Sequence, residues 1–169
     1  MEDLVEFATV DTPTGPFTII VDGGANVLAS GFTADTANLL GLIHPSLRPT
    51  DPLRQQADLG GVTKAVQRYF DGEITALDEV IVVQQSGEFL TEAWRALRTV
   101  TTPISYAQFA ALSGRPAAVR AAAQACARNA AALFVPCHRV LRSDGSLGGF
   151  RWGLTVKRNL IDHEAFIGH

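Results

Sequence analysis

The chain has 169 residues, 47% of them hydrophobic, and a net charge of -3, enough apolar mass to bury a core as one domain or as two small ones packed together. No secretory leader opens it and no apolar run approaches the ~20 residues of a membrane span, so a cytoplasmic protein without a membrane partner is expected. Two cysteines, Cys126 and Cys137, and four scattered histidines, His44, His138, His163 and His169, make neither a disulfide framework nor a structural zinc site; free thiols and no metal are expected.

The modest net charge hides an asymmetry. Residues 1–88 carry four Lys/Arg against thirteen Asp/Glu, a balance of -9, whereas residues 89–169 carry ten against four, a balance of +6. A localised basic face is what phosphate attraction requires, because steering follows the local field more than the sum. On charge alone the halves read equally well as two ordinary solvated faces.

In chain order, "VEFATVDT" and "GPFTIIVD" alternate or run apolar around the turn "TPTG", and "ANVLASGFT" follows a Gly pair, which predicts a small antiparallel sheet. The proline-rich "HPSLRPTDP" reads as a surface loop. "GGVTKAVQRYFDG" sets Val62, Ala65, Val66, Tyr69 and Phe70 on one stripe and stops at Gly72, a helix; "EVIVVQQ" can return to the sheet. From Phe89 onward the pattern turns to short helices. "GEFLTEAWRALRTV" places Phe89, Ala93, Trp94 and Leu97 on one face, "SYAQFAALSG" starts from a Ser cap, and "RPAAVRAAAQACARN" starts with Pro116 in its first turn. The last two, joined by "SGRP", have the spacing of a helix-turn-helix, although a plain helical hairpin has it too. Seven alanines between Ala117 and Ala127 leave Arg120 as the only charge on that stretch. Such a cylinder suits either an alanine-rich core or close approach to a nucleic-acid groove.

"AALFV" then reads as a buried extended segment that Pro136 ends, leaving Cys137 where the chain turns out of the core. On an extended backbone the thiol and the His138 imidazole point apart, so they would communicate through a water. A carboxylate on the other ring nitrogen would orient the imidazole, as in any nucleophile, base and orienter relay. Glu164, on a terminal helix able to pack back on the core, is the candidate; Asp144 sits in a turn and Glu92 in an early helix turn. A Cys beside a His is also what an inert buried cysteine looks like.

Together, "PCHRV" at 136–140, "SYAQFAALSGRPAAVRAAAQACARN" before it and "SDGSLGGFRWGLTVKRNLIDHE" after it resemble the O6-alkylguanine-DNA alkyltransferases. The "FRWG" variant is nearest to the C-terminal domain of the bacterial adaptive-response members. Strong over 89–164, the resemblance continues more weakly but collinearly toward the N-terminus. It implies an α/β (α+β) fold: a small ribonuclease-H-like antiparallel sheet with a helix over residues 1–85, then a mainly helical, winged-helix-like domain with the helix-turn-helix over 86–169. Implied too is a monomer that acts on double-stranded DNA containing alkylated bases, without a cofactor. Cys137 would accept the alkyl group, with His138 as the water-linked base, Glu164 as its orienter and Asn129 holding the preceding turn. Arg120 would fill the space of a flipped nucleotide and Tyr106 press on its 3' phosphate, with Ser105, Ala121 and Gln124 also facing DNA. Val140, Ser143, Gly148, Gly149, Phe150, Arg151 and Trp152 would form the base pocket, supported by Lys157.

Attack on the alkyl carbon needs a thiolate and a proton donor to the leaving guanine, and the thioether product has no easy return, so one protein would repair one lesion. O4-alkylthymine is a further candidate substrate. Where the family has a Tyr this chain has Phe150, and losing that donor to O6 costs ~2 to 4 kcal/mol of transition-state stabilisation if nothing replaces it. Leu90, Gln124, Ala130 and the shorter "VTTP" also depart from the family pattern. Three competing readings remain: a non-repairing lesion sensor, a thiol hydrolase using Cys137, His138 and Glu164, and a dimeric helix-turn-helix regulator.

Overall fold

Three N-terminal strands form the expected meander. The computed structural model describes residues 4–167, so the first three residues of the expected N-terminal unit and the last two of the C-terminal one, His169 among them, lie outside it. Strands β1 (Glu6–Thr12), β2 (Gly15–Val21) and β3 (Val27–Gly31) pair antiparallel, Phe7 opposite Ile20 and Ile20 opposite Ala29. A two-residue strand β4 (Arg54–Gln55) adds to β1 in parallel, giving the order β3-β2-β1-β4. Central β2 is buried on both faces, so its side-chain alternation feeds two cores. Phe17, Ile19 and Val21 meet helix α2 (Gly61–Phe70), whose Val62, Ala65, Val66 and Tyr69 are buried, while Ile20 faces Leu39 of the short α1 (Ala37–Leu40), Leu28 and Ala130.

The basic half is helical, as its pattern predicts. Helix α3 (Glu88–Leu97) buries Ala93, Trp94 and Leu97; α4 (Tyr106–Leu112) and α5 (Val119–Ala127) pack together as a pair of short helices, and α6 (Leu154–Ile167) follows the loop after the cysteine. A parallel pair of two-residue strands, β5 (Ile104–Ser105) and β6 (Val140–Leu141), ties the entrance of α4 to the residues just after His138. Ser105 and Gln108 make a reciprocal capping box at the start of α4. Among the described residues no helix is long and apolar enough to cross a membrane.

Three elements differ from expectation. The second helix of this pair begins at Val119 rather than in the turn with Pro116, because Arg115 and Ala118 close a separate turn, Ala118 N–H to Arg115 O, 2.9 Å. "AALFV" is not a strand: Val135 N–H returns to Ala131 O at 2.9 Å, and Leu133 takes a positive φ of 76°. Of "EVIVVQQ", Val82 alone bridges to Val27 beside the sheet.

The segment before Cys137 is docked on the N-terminal sheet. Ser30 of β3 donates its N–H to Ala130 O and its hydroxyl to Ala132 O, both at 2.8 Å, and accepts from Ala132 N–H at 3.1 Å. Phe17 and Phe134 approach to 6.2 Å between ring centroids. Arg98 adds a strap, donating to Phe134 O, Val80 O and Leu77 O at 3.1, 2.8 and 2.8 Å. Backbone groups that a strand ladder would have paired are thus paired across the two halves of the chain.

Candidate active site

Cys137, His138 and Arg139 form one turn of 3-10 helix after Pro136, and all three are buried. The expectation of an extended backbone here is corrected: thiol and imidazole are carried on a tight turn. Asn129, at the exit of α5, donates its Nδ2 both to Val135 O at 2.8 Å and to Cys137 Sγ at 3.3 Å, while its Oδ1 accepts from Ala131 N–H at 3.0 Å and Gln84 Nε2 at 3.1 Å. Gln84 in turn accepts from Ala130 N–H at 3.1 Å.

Helix α6 supplies the carboxylate. Lys157, Leu160 and Glu164 recur at three- and four-residue spacing and share the face that meets the 3-10 turn. His138 Nε2–H donates to Glu164 Oε2 at 2.7 Å, and Arg139 Nε donates to Oε1 at 2.7 Å. Arg139 is anchored at its other end on Val100 O. Lys157 Nζ donates to Val140 O at 2.8 Å, to Leu147 O and to Gly149 O at 3.2 Å, so one buried ammonium gathers three carbonyls of the loop that follows the cysteine.

Burial pushes the Cys137 thiol up from its ordinary value, and the Asn129 hydrogen bond, Lys157 and Arg151 only partly oppose it, so the resting thiol keeps its proton. Burial likewise pulls His138 down, against the pull of Glu164 and with help from Arg139 and Lys157. Glu164 is driven the other way: burial would raise it, but His138 and then Arg139 outweigh that and hold it at about 2. At neutral pH the pair is therefore a neutral imidazole donating Nε2–H to an ionised carboxylate. Nδ1, buried and without a partner among the described residues, is left as an acceptor.

Above Cys137 lies a cavity of about 450 Å3 lined by Tyr106, Ala123, Cys126, Ala127, Asn129, Cys137, Gly149, Phe150, Arg151 and Trp152. The predicted Tyr106, Asn129, Cys137, Gly149, Phe150, Arg151 and Trp152 meet there. Arg151 ties the rim to α5 by donating to Ala127 O at 2.8 Å. Trp152 lies over β3, where a Cβ on Gly31 would stand 2.2 Å from the indole. Gly148 takes a φ of +70° beside the Tyr106 hydroxyl, whose pKa is pushed up to about 12, chiefly by burial. Val140 is buried beneath the site and Ser143 is exposed outside the cavity lining. Arg120 and Gln124 are exposed on α5, and Ala121 is half-buried. Ser105 spends its hydroxyl on the α4 cap.

Sequence reasoning missed Tyr69, Gln84 and Arg139, and Cys126 lines the cavity beside Cys137. Among the described residues no group of three His, Cys, Asp or Glu side chains could hold a metal ion. Chemically, the arrangement can take a proton from a thiol at Nδ1 while the ionised carboxylate stabilises the imidazolium, beside a cavity large enough for a flat heterocycle.

These features define a class: proteins with a buried cysteine set against a pair of short helices. Residues 88–166 match the model of the 6-O-methylguanine DNA methyltransferase, DNA binding domain. The bifunctional transcriptional activator/DNA repair enzyme Ada of Escherichia coli is 49% identical over 79 residues, 46% of this chain, and this chain spans only 22% of that relative's length. The methylated-DNA–protein-cysteine methyltransferase of Salmonella typhimurium is 30% identical over 161 residues, covering 94% of each chain. Among solved structures, Mycobacterium tuberculosis OGT in complex with DNA superposes with a TM-score of 0.78 at 27% identity, over 96% of this chain and 94% of that one. The chain belongs to the methylated-DNA–protein-cysteine methyltransferase family.

Proposed function

We propose that this protein repairs DNA by moving the alkyl carbon on O6 of guanine to Cys137 Sγ, once per molecule. The observation that carries this reading is the Asn129–Cys137 contact in a cavity lined by α5 and residues 149–152, with the His138–Glu164 pair on the residue next to the cysteine. His138 Nδ1 takes the thiol proton through a water, and Glu164 stabilises the imidazolium. Sγ then attacks the alkyl carbon as the C–O bond breaks, its electron pair passing to guanine; a proton returned to the base lets it leave neutral. The thioether is final, so the reaction is stoichiometric and needs no cofactor.

Reaching the carbon requires the base to leave the stack. Arg120 lies one helical turn before Ala123 and two before Ala127, which line the cavity, so the face that borders the pocket also carries the cation that would enter the vacated stack. Ser105, Ala121 and Gln124 complete the surface toward DNA, and Tyr106 presses on the 3' phosphate of the flipped nucleotide. Val140, Ser143 and Gly148 shape the pocket loop, and Lys157 holds it. Residues 1–85 act as a ribonuclease-H-like support and 86–169 as a winged-helix-like domain, in a monomeric, cytoplasmic protein with no membrane partner.

The test reads the DNA. A duplex with a single O6-methylguanine should regain guanine without strand cleavage or base release, in an amount equal to the protein added. Binding of the lesion with no guanine restored favours the lesion sensor instead.

A further inference from the structure

Tyr69, at the end of α2, belongs to the N-terminal half yet reaches the acceptor relay. Its hydroxyl donates to Glu164 Oε2 at 2.6 Å, the same oxygen that receives His138 Nε2–H at 2.7 Å. The ring is fully buried, edge-on to Phe70 at 4.9 Å and 5.1 Å from the ring of His163, whose Nε2 lies 2.8 Å from Tyr69 O. We infer that the Tyr69 hydroxyl is a positioning group of the alkyl-acceptor site: by sharing Glu164 Oε2 with His138 it fixes the carboxylate's rotation and limits how firmly that carboxylate holds a proton on the imidazole. The consequence for rate rests on the proposed alkyl transfer; the effect on His138 does not.

The physical reasoning is electrostatic. An imidazolium at His138 is stabilised by negative charge on Oε2, and every donor to that oxygen withdraws part of it. Arg139 engages Oε1, leaving Oε2 to Tyr69 and His138. Burial first, then the Glu164 charge, pushes the phenol far above its ordinary range, so Tyr69 stays a donor at every working pH. The charged and titratable groups facing this pair are Arg139 from the 3-10 turn, Lys157 from α6, and His163 behind the Tyr69 ring. Removing the Tyr69 hydroxyl changes the bonding of Oε2 without changing the formal charge of any of them.

Tyr69→Phe in the full chain keeps the ring packing and tests this directly. Followed by NMR, with His44 as the remote control, the His138 midpoint should rise by about half to one pH unit. The acid limb of the single-transfer rate should move with it, about three- to tenfold in rate at a pH on that limb. In a Glu164→Gln background the same change should leave His138 where it is. A second measurement has the opposite sign: with Tyr106→Phe, Tyr69 is the remaining one of the two tyrosines, and 3-fluorotyrosine, a stronger donor, should lower the His138 midpoint. If Tyr69→Phe lowers thermal stability but leaves both midpoint and limb in place, Tyr69 is a packing residue and the inference is wrong. If the wild type transfers no alkyl group yet the midpoint moves, alkyl transfer fails as a reading and the Tyr69 coupling stands.

Discussion

Cys137 is 7% exposed and protonated at rest, so its reactivity has to be switched on by its surroundings rather than stored as a standing thiolate. That division suits an acceptor that can be spent only once. Phe150 lines the cavity without a hydroxyl to give a leaving oxygen. Phe150→Tyr should therefore speed single transfer by roughly thirtyfold to several hundredfold, by analogy with other oxyanion donors. Rapid-quench measurement with a methylated duplex checks this; an unchanged rate means that another donor, such as the Tyr106 hydroxyl in the same cavity, already serves. At this scale Cys137, His138 and Glu164 were legible, because adjacency and one apolar-striped helix sufficed to connect them. Tyr69 and Gln84 were not, since the contacts that matter join them to Glu164 and Asn129, far along the chain.

At the scale of elements, the pocket loop is held from two sides, by Lys157 of α6 through three carbonyls and by β3 through the contact of Trp152 with Gly31. Gly31 is required by this close approach: a methyl there would overlap the indole. Gly31→Ala should cost about 1–3 kcal/mol in stability, as overpacking does, and shift the tryptophan emission as Trp152 is displaced. Chemical denaturation and fluorescence together check this; a stable variant with unchanged emission contradicts the packing. The helices and meander were readable from their periodicity and caps. "AALFV" was misread because an apolar run does not report whether its backbone pairs as a strand or, as here, folds into a turn whose outer bonds go to Ser30.

Across the whole molecule, the acidic N-terminal half is the support on which the basic half assembles its site: β3 holds the segment before Cys137, and α2 reaches Glu164. Acid should loosen this assembly in two stages. His138 has a lowered pKa, so the unfolded chain binds its proton first and stability falls as pH drops below about 6.5. Glu164, held at about 2 instead of the ordinary 4.5, contributes stability that is complete above the latter and lost as pH falls toward the former, on the order of 3 kcal/mol. Thermal midpoints recorded from pH 8 to pH 3 should decline through both windows. In Glu164→Gln the protein should be less stable at pH 7 and lose less below pH 4.5; parallel curves for the two proteins contradict the assignment.

Of all measurements, the intact mass of the protein after incubation with a duplex carrying one O6-methylguanine bears most directly on the central claim, with peptide mapping and a Cys137→Ala control. The predicted result is a gain of a single methylene on Cys137, saturating at one equivalent and absent from the control. No gain, with tight binding to the same duplex, or a gain that survives in Cys137→Ala, contradicts it.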